Sequence, residues 1–61
     1  MNKLTKVYEG NDIHWTYDGE LSTQEAIEKQ NDAGYPEAGY GFFHYKYMNG
    51  ETTWNCQKSC D

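Results

Sequence analysis

Arginine is missing from this chain, and its absence limits what the protein can bind. The 61 residues include five lysines and ten acidic residues, which give a formal net charge of −5 at pH 7. Arginine is the preferred side chain for bidentate contacts to phosphates and base edges. Its absence and the acidic balance disfavour general DNA or RNA binding and anchoring to an anionic membrane. They favour a basic protein partner.

Long apolar segments and aliphatic side chains are also scarce. No run approaches the ~20 apolar residues of a membrane span, and the N-terminal segment has no apolar signal core. We therefore expect an unprocessed cytoplasmic protein, small enough to be encoded by a phage and to act in the host cytoplasm. The chain has only five Val, Ile and Leu residues but ten aromatic ones. This composition predicts one domain, residues 1–61, with a core built largely from Tyr and Trp.

The segment from Gly41 to Cys56 has the pattern of a β-hairpin. Asn49-Gly50 is the dipeptide that a two-residue type I′ turn prefers, because both residues need a positive φ. A turn there places Tyr45 opposite Trp54 and separates two faces. The predicted core face carries Phe43, Tyr45, Tyr47, Thr52, Trp54 and Cys56. The opposite face carries Phe42, His44, Lys46, Met48, Glu51, Thr53 and Asn55.

A second hairpin is predicted at the N-terminus. Strands over residues 3–9 and 12–18 are joined by Gly10-Asn11, which suits a type II′ turn because glycine comes first. This register pairs Tyr8 with Ile13 and Lys6 with Trp15, so that the lysine stem can cover the indole ring. The predicted core face of this hairpin carries Leu4, Tyr8, Ile13, Trp15 and Tyr17.

A helix follows the first hairpin. Ser22 and Glu25 have the spacing of a capping box, and the helix should end at Asp32 or Ala33, before Gly34. Its apolar face is narrow and consists of Ala26, Ile27, Ala33 and the stem of Gln30. Residues 35–41 are predicted to form a loop. The fold class is therefore α+β, a small two-layer ββαββ domain with one helix packed on an antiparallel sheet made of two hairpins, whose strand order stays open.

Two cysteines and two histidines raise the question of a metal site. Cys56 and Cys60 have the spacing of a ligand pair. However, the strand registers place His14 and His44 on the face opposite Cys56, so we expect no metal and no cofactor. A disulfide between the two cysteines is geometrically possible if the tail turns back, although a reducing cytoplasm would keep both thiols reduced.

Catalytic residues are not apparent in the sequence. The only serines are Ser22, which is assigned to the helix cap, and Ser59, and neither is near a predicted His–acid pair. Two thin layers also offer no deep pocket that excludes water. We therefore expect a protein without enzymatic activity.

The segment Gly39-Tyr-Gly-Phe-Phe-His-Tyr45 resembles the RNP1 motif of RNA-recognition domains, with Ala38 in place of the basic residue that precedes it. The resemblance covers these seven residues. It implies that Tyr40 and Phe42 would stack on the bases of a single-stranded nucleic acid. A nucleic-acid binder of this kind would also use His44.

Acidic side chains concentrate between residues 12 and 32, where Lys29 is the only lysine. Helical spacing places Glu25, Glu28 and Asp32 on one face, and we assign five acids to a partner-binding surface: Asp18, Glu20, Glu25, Glu28 and Asp32. Beside them we expect three exposed aromatic residues: Tyr35, Tyr40 and Phe42. Acids and exposed aromatics without a pocket are typical of a protein-binding surface, although a solvated helix face is the simpler alternative.

These observations favour a small acidic interaction module. The leading hypothesis is an inhibitor or modulator of a larger, basic, nucleic-acid-handling host protein, of the kind that phages and mobile elements encode. The first alternative is a single-stranded nucleic-acid binder that uses the RNP1-like strand. The second alternative is a structural homodimer that pairs through an exposed sheet face.

Overall fold

The fold is a four-stranded antiparallel sheet with one helix across it, in a computed structural model that describes residues 2–59. The strands are β1 (Leu4–Glu9), β2 (Asp12–Asp18), β3 (Phe43–Met48) and β4 (Glu51–Gln57), and the helices are α1 (Thr23–Asp32) and α2 (Glu37–Tyr40). The strand order β1-β2-β4-β3 joins the two hairpins into one sheet through the pair β2–β4. The predicted α+β class is confirmed, and α2 is an addition to the predicted elements.

The first hairpin, formed by β1 and β2, has the predicted register along its whole length. Tyr8 lies opposite Ile13 and Lys6 opposite Trp15. Gly10 has a φ of 62°, as the first position of a type II′ turn requires. The Lys6 ammonium lies 5.6 Å from the centroid of the Trp15 ring. The expected burial of Tyr8 is wrong: β1 is an edge strand, and the side chain is 46% exposed.

The two central strands carry most of the core. β2 and β4 place Trp15 directly opposite Trp54, and the two rings stack with centroids 5.7 Å apart and planes 5° from parallel. The buried apolar residues are Ile13, Trp15, Leu21, Ala26, Trp54 and Cys56. The predicted burial of Trp54 and Cys56 is therefore confirmed.

Helix α1 begins at the predicted capping box. The Ser22 hydroxyl accepts a hydrogen bond from the Glu25 N–H, and the Glu25 carboxylate accepts one from the Ser22 N–H. These two bonds satisfy backbone donors that the first turn of a helix leaves without partners. At the other end, Gly34 has a φ of 98° just after the cap residue Ala33.

The buried face of α1 is narrower than predicted. Only Ala26 and Gln30 are buried, whereas Ile27 is half-buried and Ala33 is exposed. Both indole N–H groups have partners: Trp54 Nε1 donates to Gln30 Oε1 at 3.0 Å, and Trp15 Nε1 donates to the Cys56 sulfur at 3.1 Å. The helix is therefore held on the sheet by a hydrogen bond as well as by apolar contact.

Residues 35–41 are not the plain loop that was predicted, because they contain the short helix α2. Its first turn follows Pro36, whose carbonyl accepts the Tyr40 N–H at 2.8 Å. The Gln30 amide nitrogen holds this segment against the core by donating to the carbonyls of Tyr35 at 2.8 Å and Gly41 at 2.7 Å. The prediction used only the apolar stem of Gln30, whereas its amide connects α1, this segment and the sheet.

The second hairpin follows the prediction near its turn and departs from it further along. Asn49 and Gly50 both have positive φ, as a type I′ turn requires, and Lys46 lies opposite Thr53. The register then shifts between Phe43 and Lys46. His44, with a φ of 62°, lies within this irregular stretch and marks a β-bulge.

This bulge exchanges the positions of two neighbouring phenylalanines. Phe42 was expected on the outer face, but it packs against the core with its ring centroid 5.8 Å from that of Trp54. Phe43 was expected opposite Cys56 in the core, but it is half-buried and lies opposite Asn55. A shift of one residue reverses the face to which each side chain belongs.

The expected burial of two tyrosines in β3 is also wrong. Tyr45 is 37% exposed and Tyr47 is 44% exposed, because β3 is the other edge of the sheet. Tyr45 still contacts the helical layer through its hydroxyl, which donates to the Leu21 carbonyl at 2.6 Å.

Candidate interaction surfaces

Four carboxylates surround one depression beside α1 and the end of β2, which we call the acidic depression. Its volume is about 270 Å³, and helical spacing turns three of the carboxylates toward it. The structure thereby brings together four of the five acids that were predicted to bind a partner. The lining residues are Tyr17, Glu20, Leu21, Glu25, Glu28, Lys29 and Asp32.

The segment that carries Glu20 is fixed by a buried threonine. The Thr52 hydroxyl accepts the Leu21 N–H at 3.0 Å and donates to the Gly19 carbonyl at 2.8 Å. Glu20 therefore lies between two residues that are anchored to β4, and its position relative to α1 is set by the fold.

Glu25 has a structural task in addition to its place in the acidic depression. Hydrogen bonds from the Ser22 backbone N–H and from the Ser22 side chain lower the pKa of its carboxyl. The group is therefore charged at neutral pH, but its carboxylate is already engaged in the capping box. A variant designed to test binding should leave Glu25 unchanged.

The lining also includes one cation. The Lys29 ammonium lies 5.2 Å from the centroid of the Tyr17 ring, in a cation–π contact. With four carboxylates and one ammonium, the acidic depression keeps a negative balance.

Asp18, the fifth predicted acid, does not line the acidic depression. It lies at the end of β2, where it is exposed and its Cα partner on β4 is Glu51. The sequence pattern grouped Asp18 with the helix acids because they are close along the chain, but the strand register separates it from them.

The three aromatic residues that were expected to be exposed are instead half-buried and packed within the domain. Tyr35 makes an edge contact with Trp15 at a centroid distance of 5.9 Å, and Tyr40 makes one with Tyr35 at 5.4 Å. Phe42 packs on Trp54 as described above. The expected exposure of these side chains is wrong because α2 folds residues 35–42 back onto the core.

The same packing differs from what the RNP1 resemblance implied. Tyr40 belongs to a helix and not to a strand, and Phe42 faces the core. Both rings that were predicted to stack on bases therefore pack against aromatic residues of this chain, Tyr40 edge-on to Tyr35 and Phe42 tilted against Trp54. His44 is exposed at the bulge.

A tyrosine pair near the β1 edge was not anticipated from the sequence. The hydroxyls of Tyr8 and Tyr35 are 2.7 Å apart. This hydrogen bond is the main cause that raises the pKa of Tyr35, and burial raises it further. Lys6 lies 5.6 Å from the Tyr35 ring centroid, and Lys58 lies 5.7 Å from that of Tyr8. The alternation of side chains along β1 predicts that Tyr8 faces the helix side of the sheet. No local sequence pattern predicts that its hydroxyl bonds to Tyr35.

The sheet face away from α1, which we call the open face, has a wide shallow hollow of about 450 Å³. His14 is oriented there by a 3.0 Å hydrogen bond between its Nδ1 and Asn55 Oδ1. The predicted assignment of His14 and Cys56 to opposite faces agrees with the strand register. The residues that line the hollow are His14, Lys46, Met48, Asn49, Glu51 and Thr53.

Cys56 is the residue on which both the metal question and the possible disulfide depend. Within residues 2–59, no group of three His, Cys, Asp or Glu side chains is placed to hold a metal ion. Burial raises the pKa of the Cys56 thiol, which accepts the Trp15 N–H. Cys60, the proposed disulfide partner, lies outside the described residues.

No helix in the described part of the chain is long and apolar enough to cross a membrane. In comparisons with known proteins, no family model, no curated protein and no solved structure matches this chain. The surfaces described above are therefore the basis for any functional assignment.

Proposed function

We propose that this protein is a small, non-enzymatic interaction module that binds a basic surface of a larger protein through the acidic depression. The observation that carries the proposal is the convergence of Glu20, Glu28 and Asp32 on one depression next to the capped start of α1. A partner with clustered Lys or Arg residues complements this surface, and such complementarity speeds association and selects the partner.

The clustering of these charges supports a partner that handles nucleic acids. A protein surface that binds DNA or RNA is lined with Lys and Arg for phosphate contacts. Several carboxylates on one helix face present a local concentration of negative charge, which such a surface can bind in place of phosphates. The protein would then act as an inhibitor or modulator that occupies a nucleic-acid site, in the manner of a phage-encoded accessory protein in a host cytoplasm.

Charge reversal in the acidic depression tests this proposal. The variant Glu20→Lys, Glu28→Lys, Asp32→Lys changes three lining acids and leaves the Glu25 cap intact. Affinity capture from a cell lysate should recover a basic nucleic-acid-binding protein with the wild type and not with this variant. Added DNA or RNA should displace the captured protein, and higher salt should weaken its binding.

A matched control carries the same change in net charge elsewhere. The variant Asp12→Lys, Glu37→Lys, Glu51→Lys alters three exposed acids that do not line the acidic depression. It should retain the partner. If both triple variants capture the same proteins as the wild type, the acidic depression is not the binding surface. Equal loss in both variants would mean that net charge, and not this site, controls association.

A further inference from the structure

The two edges of the sheet differ in how well they can accept another strand. The β3 edge is interrupted by the bulge between Phe43 and Lys46 and by the positive φ of His44. Bulges of this kind protect natural sheets from edge-to-edge pairing. The β1 edge has no bulge, no proline and no positive φ between Leu4 and Glu9. Five of its six residues are exposed.

The hydrogen-bonding pattern shows which backbone groups of β1 are free to pair. Asp18 N–H donates to the Lys3 carbonyl at 3.0 Å, which makes these two residues a hydrogen-bonded pair. Such pairs alternate along an antiparallel ladder, so every second residue after Lys3 bonds to β2. The residues between them direct their N–H and C=O groups toward the free edge; these are Leu4, Lys6 and Tyr8.

Two copies of this edge fit each other in one antiparallel register. With Lys6 opposite Lys6 of a second copy, Leu4 lies opposite Tyr8, and all three outward-facing residues of each β1 strand are paired. The same register places Lys3 opposite Glu9 at both ends, which gives two ion pairs across the interface. Registers centred on Thr5 or Val7 lose both of these charge matches.

From this complementarity we propose that the chain forms a two-fold dimer through antiparallel pairing of β1 with β1 of a second copy. The product is a continuous eight-stranded sheet, with α1 of both copies on the same side because opposed residues share a face. The central like-charged pair is tolerated because each Lys6 ammonium is drawn onto its own Trp15 and Tyr35 rings, 5.6 Å from each centroid.

The dimer is independent of the proposed partner binding. None of the residues that line the acidic depression belongs to β1. Edge pairing therefore leaves the lining residues out of the interface, and each dimer presents two acidic depressions. Loss of the dimer through β1 variants and loss of partner binding through Glu20, Glu28 and Asp32 variants are separate outcomes.

Charge reversal at the two ends of β1 tests the register. Lys3→Glu places two acids opposite each other at each end of the interface, and Glu9→Lys places two lysines opposite each other there. Sedimentation should show that the wild type dimerises, that each single variant is shifted toward monomer, and that the double variant Lys3→Glu, Glu9→Lys dimerises again. An equimolar mixture of the two single variants should form a mixed dimer. Circular dichroism melts confirm that each variant is folded.

Cysteine cross-linking provides a second measurement. Residues opposed in a hydrogen-bonded antiparallel pair have Cα atoms ~5.5 Å apart, which is within disulfide range. With Cys60 replaced by Ser, the variant Lys6→Cys should form an intermolecular disulfide under mild oxidation. The control Lys46→Cys, on the β3 edge, should not. The proposal is overturned by a wild type that stays monomeric at millimolar concentration, by a dimer insensitive to both charge reversals, or by equal cross-linking at Lys6→Cys and Lys46→Cys.

Discussion

The two hairpins have the same dimensions but differ in regularity. Both consist of a six-residue strand, a two-residue turn and a seven-residue strand, with an exposed edge strand followed by a strand whose alternate residues are buried. Trp15 and Trp54 occupy equivalent positions and lie opposite each other in the sheet. Apart from these and the pair Tyr8 and Tyr47, no equivalent positions share a residue. The first hairpin is regular, whereas the second contains a bulge.

The difference arises from how the chain reaches each edge strand. The turn at Asn49-Gly50 sets the register at one end of β3. At the other end, Gln30 binds the Gly41 carbonyl and Phe42 packs on Trp54, so tertiary contacts set which residue faces the core. The register that the turn sets and the register that these contacts set differ by one residue. His44, which lies between the two parts of the strand, takes a positive φ. In the first hairpin, Lys3 continues the ladder without such a conflict.

The largest expected loss of stability comes from truncating either of the two equivalent tryptophans, which pack against each other between the hairpins. Trp15→Ala and Trp54→Ala should each cost ~3–5 kcal/mol, because both rings are fully buried and stacked on each other. For a domain with a total stability of ~5 kcal/mol, either change removes most of the folded population. Thermal melts should lose their cooperative transition. Tyr47→Ala, at an exposed position, should melt close to the wild type; similar behaviour of all three variants would contradict the core assignment.

The next largest loss of stability should affect the second hairpin more than the first. Gln30→Leu removes three hydrogen bonds and leaves the Trp54 N–H and two carbonyls without partners, at a cost of ~2–4 kcal/mol. Urea unfolding measures this cost. Because the three side-chain hydrogen bonds of Gln30 go to the second hairpin and the segment before it, hydrogen exchange should quicken in β3 more than in β1. Gln24→Leu, at an exposed position of the same helix, is the control, and equal exchange in both edge strands would argue against this account of the bulge.

Glycine substitutions at equivalent positions of the two edge strands should change the stability in opposite directions, by a smaller amount. His44→Gly relieves a positive φ and should stabilise the fold by ~1 kcal/mol. Thr5→Gly, at the equivalent position of regular β1, should destabilise it by ~0.5–1 kcal/mol. Midpoints of urea unfolding give both values. Destabilisation by both glycines would show that the His44 backbone is not strained.

The smallest effect concerns the helix that connects the hairpins. The pKa of Glu25 is lowered in the folded protein from its ordinary value of 4.5. A depressed pKa stabilises the fold above the unfolded-state value, and this contribution is lost as the pH falls through the folded-state pKa. Below pH 4.5, the melting temperature of the wild type should therefore fall more steeply than that of Glu25→Gln. Parallel curves for the two proteins would exclude a role for this carboxylate.

Local signals in the sequence were sufficient for much of the fold. Gly10-Asn11 and Asn49-Gly50 determine turn types and therefore the registers beside them, and Ser22 with Glu25 determines where α1 begins. The bulge could not be predicted, because it follows from the contacts of Gln30 with Gly41 and of Phe42 with Trp54. Likewise, helical spacing and chain proximity were enough to group four acids. The positions of Asp18 and of the three aromatic residues were predicted wrongly, because they depend on contacts between segments distant in sequence.

The stacked indoles of Trp15 and Trp54 make the protein a spectroscopic reporter of its own assembly. They are the only two tryptophans in the chain, and each hairpin contributes one. When the in-plane transition dipoles of two stacked indoles cross at an angle, their coupling produces a circular dichroism signal that neither ring gives alone. A hairpin that folds by itself would be silent in this signal, so its appearance during refolding would time the docking of one hairpin onto the other, separately from the formation of either.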